Sequence, residues 1–139
     1  MNIDAERTAV ESMIANWLEA TNQGGEVGAD GYISFVTEDV VCLPPNAVRA
    51  EGRGEVREIM MGFTMADDFS ITWSPSSIDV TADGNQAFGY GVYEYSLKDE
   101  AGNHVNDVGK WLDVFEKQED GSWLCSMVMF NSDIAVDGG

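Results

Sequence analysis

A chain of 139 residues with 44% apolar and 10% aromatic content is long enough to bury one core and too apolar to be disordered, so a single domain over 1–139 is expected, with a frayed tail from about 134. Its 25 Asp and Glu against 7 scattered Lys and Arg leave a formal net charge of −18, which argues against nucleic acid and anionic membrane as partners, because phosphate recognition needs clustered cations. Cys42 and Cys125 follow no pairing or metal-binding spacing and are expected as buried free thiols; with no apolar signal core near the start and no run of membrane-spanning length, a cytoplasmic location is expected.

Asp4 to about Thr21 has the pattern of an amphipathic helix. Val10, Met13, Ile14, Trp17, Leu18 and Thr21 fall on one face at helical period. Asp4 and Glu6 suit its start, where the helix dipole is positive, and Gly24-Gly25 its stop. A second, shorter helix is expected over about Ala29–Val36, ended by Glu38-Asp39. Val40–Leu43 is then a brief strand stopped by Pro44-Pro45. Gly52 and Gly54 lead into a third helix, with Val56, Ile59, Met60 and Phe63 on one side.

From Phe69 the apolar period changes to two. Ile71 and Trp73 alternate with Ser70, Thr72 and Ser74, Pro75 interrupts, and Ile78 and Val80 resume. After the turn Ala82–Asn85, a strand over Gln86–Leu97 carries Phe88, Tyr90 and Val92 on one side and Tyr93, Tyr95 and Leu97 on the other. Gly89 and Gly91 within it imply a bend or the close approach of another element. Val108–Asp133 forms two strands around Glu119-Asp120-Gly121, and Asp-Gly between alternating apolar runs is a strong hairpin signal. Trp111, Asp113 and Phe115 lie in phase on one face of the first of these strands, with Leu112 and Val114 on the other.

Helices followed by a run of antiparallel strands predict an α+β fold with helices on one face of a curved sheet. Those helices cover only one sheet face. The other, with Leu112, Val114, Met127 and Met129, needs a second cover, and a homodimer formed sheet to sheet supplies one.

Gly109-Lys110-Trp111, Lys117-Gln118, the run Asp120–Trp123 and Asn131–Asp133, with their spacing, resemble the nuclear-transport-factor-2-like superfamily. The similarity is to its ketosteroid-isomerase-like, polyketide-cyclase-like branch. The earlier segments Val36–Pro45 and Glu51–Met60 agree, and the resemblance spans roughly Ala5–Asp133. It implies a cone-shaped α+β barrel whose sheet curls around a pocket closed by the helices, and dimers through the outer sheet face. Ketosteroid isomerases use an Asp base together with a Tyr and a protonated Asp that bind an oxyanion. Carried over position by position, the protonated Asp falls on Asp113, the Tyr on Trp17 and the base on Leu43, before Pro44. Leu43 takes no proton, so the isomerase mechanism lacks its base here.

What remains is one acid in an apolar cavity, where desolvation favours the neutral form; a neutral Asp113 donates a hydrogen bond to a ligand carbonyl, and an ionised one acts as a base. The structural alternative is an Asp held by Lys110, a tyrosine or a backbone amide, or turned to solvent. The expected lining is Trp17, Leu43, Met60, Tyr90, Trp111, Phe115, Ser126, Val128 and Phe130 around Asp113, a greasy surface suited to a flat apolar molecule. Glu94 shares parity with Tyr90 and stays open between cavity and surface. His104, the only histidine, is expected in a solvated loop. No metal-ligand or phosphate-loop spacing occurs, so no cofactor is expected. Three readings follow: an isomerase-, cyclase- or dehydratase-like enzyme on a hydrophobic carbonyl compound, a non-catalytic pocket for a small apolar ligand, and a dimerisation or scaffold domain without a ligand.

Overall fold

A computed structural model describes residues 2–136. Three helices, α1 (Ile3–Thr21), α2 (Gly25–Ile33) and α3 (Gly52–Thr64), pack on one face of a curved, unclosed sheet. Its six strands are β1 (Val36–Leu43), β2 (Ala50–Glu51), β3 (Asp67–Val80), β4 (Gln86–Lys98), β5 (His104–Lys117) and β6 (Trp123–Ser132). They lie in the order β2-β1-β6-β5-β4-β3. Only β1 and β6 pair in parallel; every other neighbour is antiparallel. This is the α+β arrangement that the change from helical to twofold period predicts.

The first helix buries the expected face, with Val10, Met13, Ile14, Trp17 and Thr21 shielded from solvent. Its start is capped by the Asn2 side chain, which accepts from the Ala5 amide at 3.2 Å. Its other end is fastened to the sheet by Asn22. The Asn22 amide accepts from Ile71 N–H at 2.9 Å and donates to Ile71 C=O at 2.7 Å, pairing like a short strand with the free edge of β3.

Three local expectations are corrected. The second helix starts four residues earlier than expected and ends at Ile33, because Gly24 and Gly25 take positive φ (73° and 60°) and turn the chain straight into it. Glu38-Asp39 then do not stop a helix. They sit exposed inside β1, where its pairing with β6 is irregular between Val36 and Val41. Pro75 does not break β3, because β3 is an edge strand, where a missing N–H is tolerated, and the register shifts between Pro75 and Ser77. His104 opens β5, exposed opposite Lys98. The hairpin turns through Gly121 at φ 87°, with Asp120 accepting from the Ser122 amide and hydroxyl.

Strand pairing decides which side chains share a face. On the inner face Cys42, Val128, Asp113, Gly89 and Ile78 stand side by side across five strands. On the outer face two rows cross four strands: Val41, Met127, Val114, Phe88, and Leu43, Met129, Leu112, Tyr90. Tyr90, Phe88 and Leu112 are 57%, 50% and 44% exposed, so this face carries an uncovered apolar band. Among the described residues no helix is long and apolar enough to cross a membrane.

Candidate functional site

The concave side of the sheet and the facing helices enclose a cavity. It is lined by Ile14, Trp17, Tyr32, Met60, Phe63, Ile71, Trp73, Tyr93, Tyr95, Trp111, Asp113, Val128 and Phe130. Its volume is about 70 Å³. Eight of these thirteen side chains are aromatic. Trp17, Tyr32 and Trp73 cluster with ring centroids 4.8 to 6.3 Å apart. Tyr93 stacks on Tyr95 at 6.1 Å and meets Phe130 edge-on at 5.8 Å.

Glycines on the inner face shape the wall. Trp111 pairs across the ladder with Gly91, and Tyr93 with Gly109. A Cβ at Gly91 would sit 2.5 Å from Trp111 Cζ2, and one at Gly109 would sit 2.6 Å from two Tyr93 ring carbons. Both rings therefore occupy the space that a side chain at these glycines would take. A larger residue there would displace them.

Nearly all polar hydrogens on this wall are spoken for. Trp17 Nε1 donates to Tyr32 C=O at 3.0 Å, Trp73 Nε1 to Ile14 C=O at 3.2 Å, and Trp111 Nε1 to Val92 C=O at 3.1 Å. The Tyr93 hydroxyl donates to Asp107 Oδ2 at 2.7 Å, and Ser132 Oγ donates to the other Asp107 oxygen. Three polar groups stand apart, one of them the Tyr95 hydroxyl, which makes no hydrogen bond among the described residues. Asp113 is 5% exposed, and its buried Oδ1 has no hydrogen-bond partner among the described residues. The Tyr32 hydroxyl makes no bond to any of them; the hydrogen bond at Tyr32 involves its carbonyl alone.

Burial pushes the Asp113 carboxyl well above the ordinary carboxylate range, and the Met129 backbone amide offsets this only in part. Burial likewise raises Tyr32, with further contributions from the nearby Cys42, Asp113 and Cys125. Cys42 is pushed up to about 11, first by burial and then by Asp113. Both cysteines are free and buried. Tyr32, Cys42, Cys125 and Asp113 thus form one cluster of groups that favour their neutral forms. Among the described residues no group of three or more His, Cys, Asp or Glu converges as a metal site.

The cavity brings together Trp17, Met60, Trp111, Asp113, Val128 and Phe130 from the expected set. Trp17 offers a ring surface rather than a donor, since its N–H is taken by Tyr32. Four residues fall elsewhere. Leu43 lies on the outer face beside Met129, and the inward position of that strand belongs to Cys42. Tyr90 lies on the outer face opposite Leu112, as does the exposed Glu94 opposite Val108. Phe115 is inward but fully enclosed, two residues past Asp113, where the space is filled by core. Ser126 is displaced by a bulge: Val114 pairs with Met127 and Phe115 with Cys125, leaving Ser126 as the extra residue. Tyr32, Trp73, Tyr93 and Tyr95 were not among the expected lining. Gly89 and Gly91 share parity with Tyr93 and Tyr95, and these small residues beneath rings were the available signal.

The geometry decides the comparison. The fold is that of the nuclear-transport-factor-2-like proteins. A ketosteroid isomerase-like protein from Erwinia carotovora atroseptica SCRI1043 superimposes with a TM-score of 0.79 at 19% identity, covering 94% of this chain and 98% of that one. A nuclear transport factor 2-like superfamily protein from Salmonella enterica serovar Typhimurium LT2 gives 0.79 at 14% identity, over 99% and 98% of the two chains. A candidate scytalone dehydratase from Novosphingobium aromaticivorans DSM 12444 gives 0.78 at 16% identity, over 97% and 89%. No protein-family model and no curated protein matches the sequence. At these identities the likeness carries the nuclear-transport-factor-2-like fold and leaves the reaction to the site.

Proposed function

We propose that this protein binds a small hydrophobic carbonyl compound in the concave cavity, with Asp113 as the polar anchor. The observation that carries the reading is the unpartnered Oδ1 of a buried carboxyl group at an otherwise aromatic wall. A buried polar atom without a partner costs about 1–3 kcal/mol, and a ligand that supplies the partner recovers much of that. As a neutral acid, Asp113 donates to a carbonyl oxygen. The Tyr32 or Tyr95 hydroxyl, neither with a hydrogen-bond partner among the described residues, joins it as a second donor. Such a pair withdraws electron density from the carbonyl, which is the electrophilic half of isomerase-, cyclase- or dehydratase-like chemistry. Solved structures with this fold include proteins described as ketosteroid isomerase-like and as a candidate scytalone dehydratase, which supports the same reading.

The non-catalytic alternative also has a specific observation behind it. Beyond Asp113 and the tyrosines, no titratable side chain among the described residues lines the cavity, and Leu43 points away from it. With Asp113 itself protonated, a proton taken from substrate would therefore have no acceptor among these groups. The test is a thermal-shift screen against hydrophobic carbonyl compounds, repeated with Asp113→Asn. A bound ligand raises the melting temperature with its concentration over Kd. Compounds whose shift collapses in Asp113→Asn are then assayed for turnover. Shifts that survive unchanged reduce the reading to a binder without an anchor at Asp113.

We also propose that two copies associate through the outer sheet face. Two rows of four apolar residues lie there, with no acidic residue among them, in a chain of net charge −18. That band is self-complementary in character, and the carboxylates of Glu51 beside Val41 and Asp79 beside Phe88 lie at the ends of one row rather than within it.

A further inference from the structure

Resting on that pocket reading, we infer that the cavity is built for an uncharged molecule the size of a single flat ring carrying one hydrogen-bond acceptor, and that it rejects fused-ring, anionic and cationic ligands.

The size limit comes from volume. The cavity offers about 70 Å³, where one water needs about 10–15 Å³ of such space and sites for drug-sized ligands span about 300–1,000 Å³. That is room for a handful of heavy atoms, which is one ring and not two. The shape comes from the wall. Trp111 and Tyr93 are seated over Gly91 and Gly109, where a side chain would displace them, and eight of the thirteen lining side chains are aromatic. A flat ring stacks on such a surface with little side-chain rearrangement.

The charge limit comes from what the lining lacks. No Lys, Arg or His borders the cavity, so an anion would be desolvated without a counter-charge. The three indole N–H groups on this wall are committed to backbone carbonyls. A cation is the sharper rival, since aromatic rings attract cations and an ionised Asp113 would pair with one. It requires Asp113 to lose its proton in a buried row whose inner-face neighbours are Val128 and Gly89. The neutral carboxyl instead offers a donor, and one acceptor oxygen on the ligand has a second lone pair for a tyrosine hydroxyl.

The test uses four probes sharing an aromatic ring: acetophenone, acetylnaphthalene, benzoate and benzylammonium. Each is titrated into the full chain at neutral pH, following the indole N–H resonances of Trp17, Trp73 and Trp111 as site markers. Acetophenone should shift these signals saturably, with a dissociation constant at least tenfold below those of the other three. Phe63→Ala, which removes a half-buried lining ring, should narrow the gap between acetylnaphthalene and acetophenone at least tenfold if volume is what excludes two rings. Equal or tighter binding of acetylnaphthalene to the unaltered protein overturns the size limit. Tightest binding of benzylammonium, strengthening as pH rises, overturns the charge limit and makes the cavity a cation cage. Either result leaves the pocket reading standing. Indole signals that move with none of the four overturn both.

Discussion

Trp111 lies across Gly91 so closely that a Cβ there would meet ring atoms Cζ2 and Cε2 at 2.5 and 2.7 Å. The same Cβ would press on the carbonyl oxygen of Ser74 in the edge strand β3. One of these neighbours is ladder backbone and has nowhere to go. Gly91→Ala should therefore destabilise the fold by about 1–3 kcal/mol, the usual cost of overpacking a filled site, against a gain of well under that from a stiffer unfolded chain. Chemical denaturation gives the number. Near-UV circular dichroism tests the cause, because a tilted Trp111 alters the aromatic signal even before unfolding. A mutant of wild-type stability with an unchanged spectrum would show that the ring is not held by Gly91.

This relationship also marks where sequence reasoning stopped. The period of the first helix, the Asp-Gly hairpin and the inward phase of Trp111 and Asp113 were legible because each is a local pattern repeated over several residues. The face of β4 was not. Both of its sides carry aromatic residues, so alternation alone cannot say whether Tyr90 or Tyr93 faces the cavity. Pairing with β5 settles it, since Asp113 stands opposite Gly89 and Tyr90 opposite Leu112. Leu43 failed for a similar reason. Its place before Pro44 could be counted, but its direction follows from parallel pairing with Met129, a contact between distant parts of the chain. Ser126 was lost to a one-residue bulge, which reverses parity downstream without a mark in the hydrophobic pattern.

Tyr32 and Tyr93 both line the cavity but should respond oppositely to loss of the hydroxyl. The Tyr93 hydroxyl donates to Asp107 at 2.7 Å, whereas that of Tyr32 has no partner among the described residues. Tyr93→Phe should cost about 1.5–3 kcal/mol of stability, as for a hydrogen bond to a charged group. Tyr32→Phe should fold with stability within about 0.5 kcal/mol of the parent, in keeping with a change that breaks no bond. If the Tyr32 hydroxyl serves ligand, the same variant should weaken binding of a carbonyl compound about tenfold, or about 1.4 kcal/mol. Denaturation and ligand titration on the two variants separate the roles. A Tyr32→Phe protein as destabilised as Tyr93→Phe would make both hydroxyls structural.

The outer face gives a prediction about assembly. Leu112 is 44% exposed between Tyr90 and Met129 in the middle of an apolar row. A lysine there puts a charge at the centre of the proposed contact, where desolvation has no nearby acid to compensate it. Leu112→Lys should raise the dimer dissociation constant at least about tenfold while leaving the monomer folded, because the side chain points away from the core. Sedimentation equilibrium over a concentration series reads this directly. Parent protein that sediments as a monomer throughout would remove the dimer and leave the band without an occupant.

The last prediction concerns pH and carries the most weight for the site. Unfolded, Asp113 ionises near the ordinary value of about 3.9. Folded, burial holds its pKa well above that. Between the two values the native chain keeps a proton that the unfolded chain has released. The contribution of Asp113 is then fully present below the unfolded pKa and is lost as pH rises through the folded one. Within that window the loss approaches about 1.4 kcal/mol per pH unit. Asp113→Asn has no such proton, so the stability of the parent minus that of the variant should fall as pH rises above about 4 and level off once pH has passed the folded pKa. The other carboxylates are common to both proteins and cancel in the difference. Denaturation of the pair across a pH series supplies the curve. A difference that stays flat means the native carboxyl ionises as it does in water, which requires a partner at Oδ1 and withdraws the neutral acid on which ligand recognition by Asp113 rests.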